Sequence, residues 1–194
     1  DVIVEVQNPT ADLTRTINAS FEGEDTRIQL NDELKTVWTK DDLVSVFYRS
    51  TVNEQWQFQG ETGDRSGDIM PVDSSINPPA TTNHIVVVYP YNENYFYNSE
   101  THNIQASLPA EQTYIKNSYG LNGNIMISQG EYNNISLKSV CGWLKLQLTG
   151  NGEKIKSITL RGNNGEQVAG ELYINSADAM ATLYTPSFEV CNQH

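Results

Sequence analysis

The stretch Trp143 to Ile174, WLKLQLTGNGEKIKSITLRGNNGEQVAGELYI, sets the reading of the chain. Leu144, Leu146 and Leu148 point one way while Lys145 and Gln147 point the other, with Trp143 on that second face. Such alternation describes a strand with one face on a core and one in water. The turn that follows, Gly150-Asn151-Gly152-Glu153, contains the Asn-Gly pair of a tight hairpin. In the next run Ile155 is out of phase with Ile158 and Leu160, which points to a bulge or a late strand start. A second hairpin turn at Gly162-Asn163-Asn164-Gly165 leads to Val168 and the strand beyond. Residues 143 to 174 therefore read as a three-stranded antiparallel meander.

Outward from this meander, the same grammar recurs. Runs of four to eight residues rich in Val, Ile, Thr and aromatics alternate with Gly, Asn, Asp and Pro clusters. Strands are expected at 2–6, 16–22, 43–49, 55–59, 85–91, 104–108, 124–128, 135–138 and 181–184, beside those of the meander at 143–149, 154–160 and 168–174. Ile85-Val86-Val87-Val88 is continuously apolar, as in a central strand covered on both sides. No sustained helical period exists; helical turns are expected only near 111–118 and 176–180. Glu61 to Pro79, rich in Gly, Ser, Asp and Pro, reads as an exposed loop, and Asn92 to His102 as a second irregular stretch carrying Tyr95, Phe96 and Tyr97. The fold class is all-β.

The 194 residues fit one domain, or one and a small piece. With 24 acidic against 12 basic side chains the net charge is −12, which repels phosphate backbones and anionic lipid, so nucleic acid is not an expected partner. The polar remainder is Asn, Gln, Ser and Thr, a composition common in secreted β-proteins. No apolar run is long enough for a transmembrane helix, and the opening DVIVEV lacks the pattern of a signal peptide. If the protein is exported, its signal is expected to have been removed already or to lie outside this sequence. Cys141 and Cys191 are too few for a disulfide scaffold and lack zinc spacing; one bridge between them and two free thiols both fit the sequence.

Chemistry-bearing motifs are scarce. His84, His102 and His194 are scattered, and no zinc-protease, nucleophile-elbow, phosphate-loop or EF-hand spacing occurs. Acid pairs at Asp32-Glu33, Asp41-Asp42 and Glu22 with Glu24-Asp25 read as solvated turns ahead of a glycosidase pair. The Asp64 to Asp73 segment offers oxygen ligands for calcium without a diagnostic spacing. The expectation is a non-enzyme with no catalytic residues, no metal and no cofactor. Tyr89, Tyr91, Tyr95, Phe96 and Tyr97 suggest a sugar-stacking platform, against the plainer reading of aromatic packing over a sandwich edge.

In order along the chain, TRTINASFEGEDTR, TVWTKDDLVSVFYRS, IVVVYPYN, NIQASLPAEQTY and VCGWLKLQLTGNGEKIKSITLRGNNGEQVAGEL resemble the fimbrillin-like family of anaerobic Gram-negative bacteria. The matching points are Thr26-Arg27, Trp38, Asp41-Asp42, Val44 to Phe47, Tyr89-Pro90-Tyr91, Leu108-Pro109 with Gln112, and Cys141-Gly142. The resemblance spans about Thr14 to Gly170. It implies a transthyretin-like antiparallel β-sandwich with Greek-key elements, occupying residues 1–187 as a first domain, with 188–194 beginning the link to a second. It also implies a cell-surface adhesion or fimbrial (pilus) subunit, extracellular and held at the outer membrane through a lipid anchor on its lipoprotein precursor.

The partners so implied are other fimbrial subunits, or a host or bacterial surface protein or glycan, engaged by β-strand addition. Val2 to Val6 is the candidate removable strand and Arg15 the processing site behind it. The alternative is a surface glycan-binding lipoprotein for nutrient capture, with Tyr95, Phe96 and Tyr97 as glycan contacts.

Overall fold

The structure, a computed structural model, describes residues 16–22, 29–30, 36–48, 51–76, 85–115, 119, 123–130, 135–142, 146 and 148–183. Within them lie thirteen strands: β1 (Ile17–Phe21), β2 (Gln29–Leu30), β3 (Thr36–Val37), β4 (Leu43–Phe47), β5 (Glu54–Phe58), β6 (Ser66–Pro71), β7 (Ile85–Tyr89), β8 (Phe96–Asn98), β9 (Asn103–Leu108), β10 (Met126–Gly130), β11 (Ile135–Ser139), β12 (Gly170–Asn175) and β13 (Ala181–Leu183). The described chain is all-β, as its punctuation demands.

Seven strands close into a barrel in the order β1-β11-β10-β7-β4-β5-β6, with β6 returning to β1. Every neighbouring pair is antiparallel except β1 and β11, which run parallel from Ala19 opposite Ile135 to Phe21 opposite Leu137. That junction departs from the all-antiparallel expectation. A four-stranded antiparallel sheet, ordered β13-β12-β9-β8, accompanies the barrel, and β2 and β3 form a small ribbon.

Period-two alternation explains which face each strand buries. In β1, Ile17, Ala19 and Phe21 turn inward while Asn18 is exposed; in β5, Glu54, Trp56 and Phe58 are buried between half-buried glutamines. These residues join Trp38, Ile69, Ile85 and Val87 in the barrel interior. The interior is largely aromatic at one end, where the Trp38 ring stacks on Phe58 at 4.7 Å and meets Phe21 at 4.5 Å and Tyr89 edge-on at 5.8 Å. Gly67 sits against this group: a Cβ there would lie 2.7 Å from the Phe58 ring, so a side chain at that position would displace the stack.

A second core lies outside the barrel wall. Phe47, Val86, Val88, Ile125 and Ile127 pack against Tyr97, Ile104, Ala106, Leu172 and Ile174 from the four-stranded sheet. Strands β4, β7 and β10 are therefore buried on both faces, which is why β7 reads as an unbroken apolar run. The Tyr89–Pro90 peptide is cis at the end of this strand.

The meander is the main departure from the sequence reading. Residues 143–145 and 147 lie outside the described residues; 146 and 148–169 carry no strand, although Asn151 and Asn164 donate main-chain bonds to Glu153 and Glu166 at the two expected turns. Leu146, Leu148, Ile155, Ile158, Leu160 and Val168 are all exposed. Alternation specifies a face and not a partner. The barrel is closed and offers no edge, and a hairpin without a sheet to lie on is marginal in water. Among the described residues only the last expected strand of the three is a strand, β12, which pairs with β9 from Gly170 opposite Leu108 to Asn175 opposite Asn103.

Smaller differences have local causes. Part of the segment read as a loop, Ser66 to Pro71, is β6, recruited because Ile69 is buried between Ile17 and Phe58. Phe96 to Asn98 is a strand, β8, within the stretch read as irregular. Neither expected helical turn forms a helix in its described part. Expected strand 2–6, Arg15 and the tail 184–194, with Cys191, lie outside the described residues, as do residues 116–118 of the first helical turn.

Candidate functional site

At the acidic turn, Thr39-Lys40-Asp41-Asp42, the Asp42 amide donates to the Thr39 carbonyl at 3.0 Å and the Thr39 amide donates back to Asp42 Oδ2 at 2.8 Å. Asp41 occupies the left-handed region at φ 67°, which a turn of this shape requires and Asp tolerates. Asp42 is partly buried and faces Tyr89, whose hydroxyl lies 3.5 Å from Oδ1. Burial pushes its carboxyl up to about 6, against the pull of the Thr39 and Tyr89 bonds. Tyr89 in turn is held above the usual phenol range by burial first and by Asp42 second.

This pair has a stability consequence. The folded Asp42 binds a proton more tightly than the unfolded one, so its contribution is full below the unfolded value of about 4 and is lost as pH rises through about 6. Asp42→Asn, which keeps an oxygen acceptor for Thr39, is expected to stabilise the protein by about 1–2 kcal/mol at pH 7 after discounting for solvent screening, and to change little at pH 3.5. Urea titrations at the two pH values check it; an equal effect at both would place the gain elsewhere.

A different kind of surface occupies the outer face of the four-stranded sheet. The alternation that buries Tyr97, Ile104, Leu172 and Ile174 turns Phe96, Asn98, Asn103, Gln105 and Tyr173 outward. Gln105 lies opposite both Phe96 and Tyr173, so the three form one row across the strands, and Thr182 extends it on β13. One step along, Asn98, Asn103 and Asn175 form a parallel row. Phe96, Asn98, Asn103, Gln105 and Tyr173, with Thr101, line an open depression of about 310 Å³. Asn98 Oδ1 accepts from the amides of Glu100 and Thr101, at 2.9 and 3.1 Å, and so fixes the turn that forms the rim.

The residues singled out from the sequence are divided by this arrangement. Tyr95 and Tyr97 are buried, at 5% and 3% exposure, and burial raises both phenols. Tyr97 packs on Phe47 and its hydroxyl meets His102 Nδ1 at 3.0 Å, which occupies one of the three histidines. Phe96 alone of the trio is outward, at 48% exposure. Its companion Tyr173, at 38%, was not found by sequence reading, because the two come together only through β9.

The other candidate groups do not converge. Asp64 accepts from the Glu61 amide, Asp68 from Asn18 and Asp73 from the Ser75 amide, so the acidic side chains of the 64–73 segment serve separate turns and strands. Among the described residues no three His, Cys, Asp or Glu side chains are grouped as metal ligands. Asp32-Glu33, Glu24-Asp25, His84 and His194 lie outside the described residues. Cys141 has a partly buried thiol, raised by burial, with no disulfide partner among the described residues. No described helix is long and apolar enough to cross a membrane. Compared with known proteins, the chain matches no family, no curated protein and no solved structure.

Proposed function

We propose that the chain is a non-enzymatic cell-surface adhesion or fimbrial subunit of the fimbrillin-like kind, its barrel wall and packed sheet a variant of that family's transthyretin-like sandwich. It assembles by strand addition and is displayed extracellularly from a lipid-anchored precursor at the outer membrane. One observation carries the reading. The barrel has no edge, whereas the four-stranded sheet ends in β8 and β13, each paired on one side only among the described residues. An edge of this kind offers a row of main-chain donors and acceptors to an incoming strand.

The same chain carries material for the other half of such a contact. Residues 154–160 are exposed, β-prone and in no ladder among the described residues, with Ile155, Ile158 and Leu160 in water. Val2 to Val6, ahead of the proposed processing site Arg15, is the second donor candidate. Sedimentation velocity on the intact chain and on a form lacking residues 1–15 tests the reading. The shortened form is expected to build oligomers with rising concentration, and Ile158→Asp with Leu160→Asp to reduce them. A shortened form that stays monomeric across the accessible concentration range counts against assembly by strand addition.

A further inference from the structure

We propose that the outer face of the β8-β9-β12 sheet binds a neutral oligosaccharide, with Phe96 and Tyr173 as stacking rings and Gln105, Asn103 and Asn98 as the hydrogen-bonding groups. The site uses side chains on the face of the sheet, whereas strand addition uses the main-chain groups along its edges, so the two are tested separately.

Three observations carry it. The first is the row Phe96, Gln105, Tyr173. Neighbouring strands lie about 4.8 Å apart, so the two rings rise on either side of one amide with their bases separated by roughly 10 Å. Side chains on a sheet stand nearly perpendicular to it. The rings therefore act as two walls with a polar floor, and the floor continues into Asn103 on the adjacent row.

The second is the chemistry of that floor. An amide side chain offers two donors and an acceptor, the complement of a sugar hydroxyl, which both donates and accepts. Gln105 and Asn103 are half-buried and make no side-chain hydrogen bond within the described protein. Asn98 spends its oxygen on the rim turn, and its side chain lines the same depression. A pyranose joins these demands in one ligand, since it has an apolar C–H face for the rings and a fringe of hydroxyls for the amides.

The third is charge. Phe96, Asn98, Thr101, Asn103, Gln105 and Tyr173 carry no formal charge, and the chain around them is at −12. Glu171, two residues from Tyr173 on the same outward face, adds a carboxylate at the border. Sialylated, sulfated and uronic glycans are repelled, and neutral sugars are not. A depression of about 310 Å³ lies at the low end of ligand sites, which suits a short saccharide held weakly and reinforced when many copies are displayed together.

The test uses the intact chain against immobilised neutral gluco-, galacto-, manno- and N-acetylhexosamine oligosaccharides and their sialylated or sulfated counterparts, with solution titration by NMR for any hit. Saturable binding to a neutral sugar is expected, weakened about tenfold by Phe96→Ala or Tyr173→Ala and equally by Gln105→Leu, which keeps volume and removes the amide. Tyr173→Phe should retain most of the binding, and Tyr114→Ala, exposed elsewhere, should leave it intact. Circular dichroism and melting confirm that each variant is folded. Binding to none of the neutral sugars, binding only to the anionic ones, or binding indifferent to both Phe96→Ala and Gln105→Leu overturns the proposal.

Discussion

Replacing Trp38 by alanine is expected to remove about 3–5 kcal/mol of folding stability, enough to leave a domain of ordinary stability near its unfolding threshold. The indole is fully buried at the point where three other aromatics converge: Phe21, Phe58 and Tyr89. Its backbone is anchored independently, by donation from the Trp38 amide to the Asp64 carbonyl at 2.7 Å and from the Gly63 amide to the Trp38 carbonyl at 2.9 Å. The chain path therefore survives the substitution, and the void opens inside a closed barrel that cannot collapse around it. Trp38→Phe separates the contributions. The buried indole nitrogen has no hydrogen-bond partner among the described residues, so losing it offsets part of the lost area, and a cost under about 1.5 kcal/mol is expected. Urea unfolding followed by circular dichroism checks both. A Trp38→Ala cost below 1 kcal/mol would show that the barrel end repacks, contrary to the geometry.

How far the sequence foretold this structure depends on what each signal specifies. The apolar run of β7 and the strict alternation of β5 were legible because each states how many faces are buried, and the fold buries that number. The strand grammar therefore reached the all-β class. What it could not reach was pairing. Leu146, Ile155, Ile158 and Leu160 alternate or nearly so, yet the barrel closes through β1, which pairs with β6 on one side and on the other with β11, more than 110 residues further along the chain, and none of these four residues lies in a ladder. β6 was hidden for the opposite reason: Ser66-Gly67-Asp68 reads as loop, and only Ile69 and the close approach of Phe58 to Gly67 tie it to the core. The candidate glycan surface shows the same division. Phe96 was visible as an aromatic in a polar frame, but its alternation with buried Tyr95 and Tyr97 required β8 to be a strand. Tyr173, 77 residues on, joined it only through the shared partner Gln105.

Replacing Ile104 by alanine is expected to destabilise the barrel as well as the sheet to which Ile104 belongs, by about 2–5 kcal/mol in a single transition. Ile104 is fully buried and faces only the second core, opposite Ile174 on one side and Tyr97 on the other. A sheet merely resting on a self-sufficient barrel would peel away first. The wall strands argue otherwise. Val86 and Val88 contribute to the second core from the same strand that sends Ile85 and Val87 into the first, and on β10 Ile127 and Met126 divide in the same way. Removing the sheet would expose Phe47, Val86, Val88, Ile125 and Ile127 together, at roughly 25 cal/mol per Å² of apolar surface. The remaining barrel would thus begin with a large apolar flank in water. The chain has three tryptophans, and two, Trp38 and Trp56, lie in the barrel interior. With Trp143→Phe as background, their emission reports the barrel, while far-ultraviolet circular dichroism reports all strands. Coincident urea midpoints, shifted together by Ile104→Ala, are expected. If emission keeps its midpoint while the dichroism transition splits, the two cores fold separately and the shared wall does not couple them.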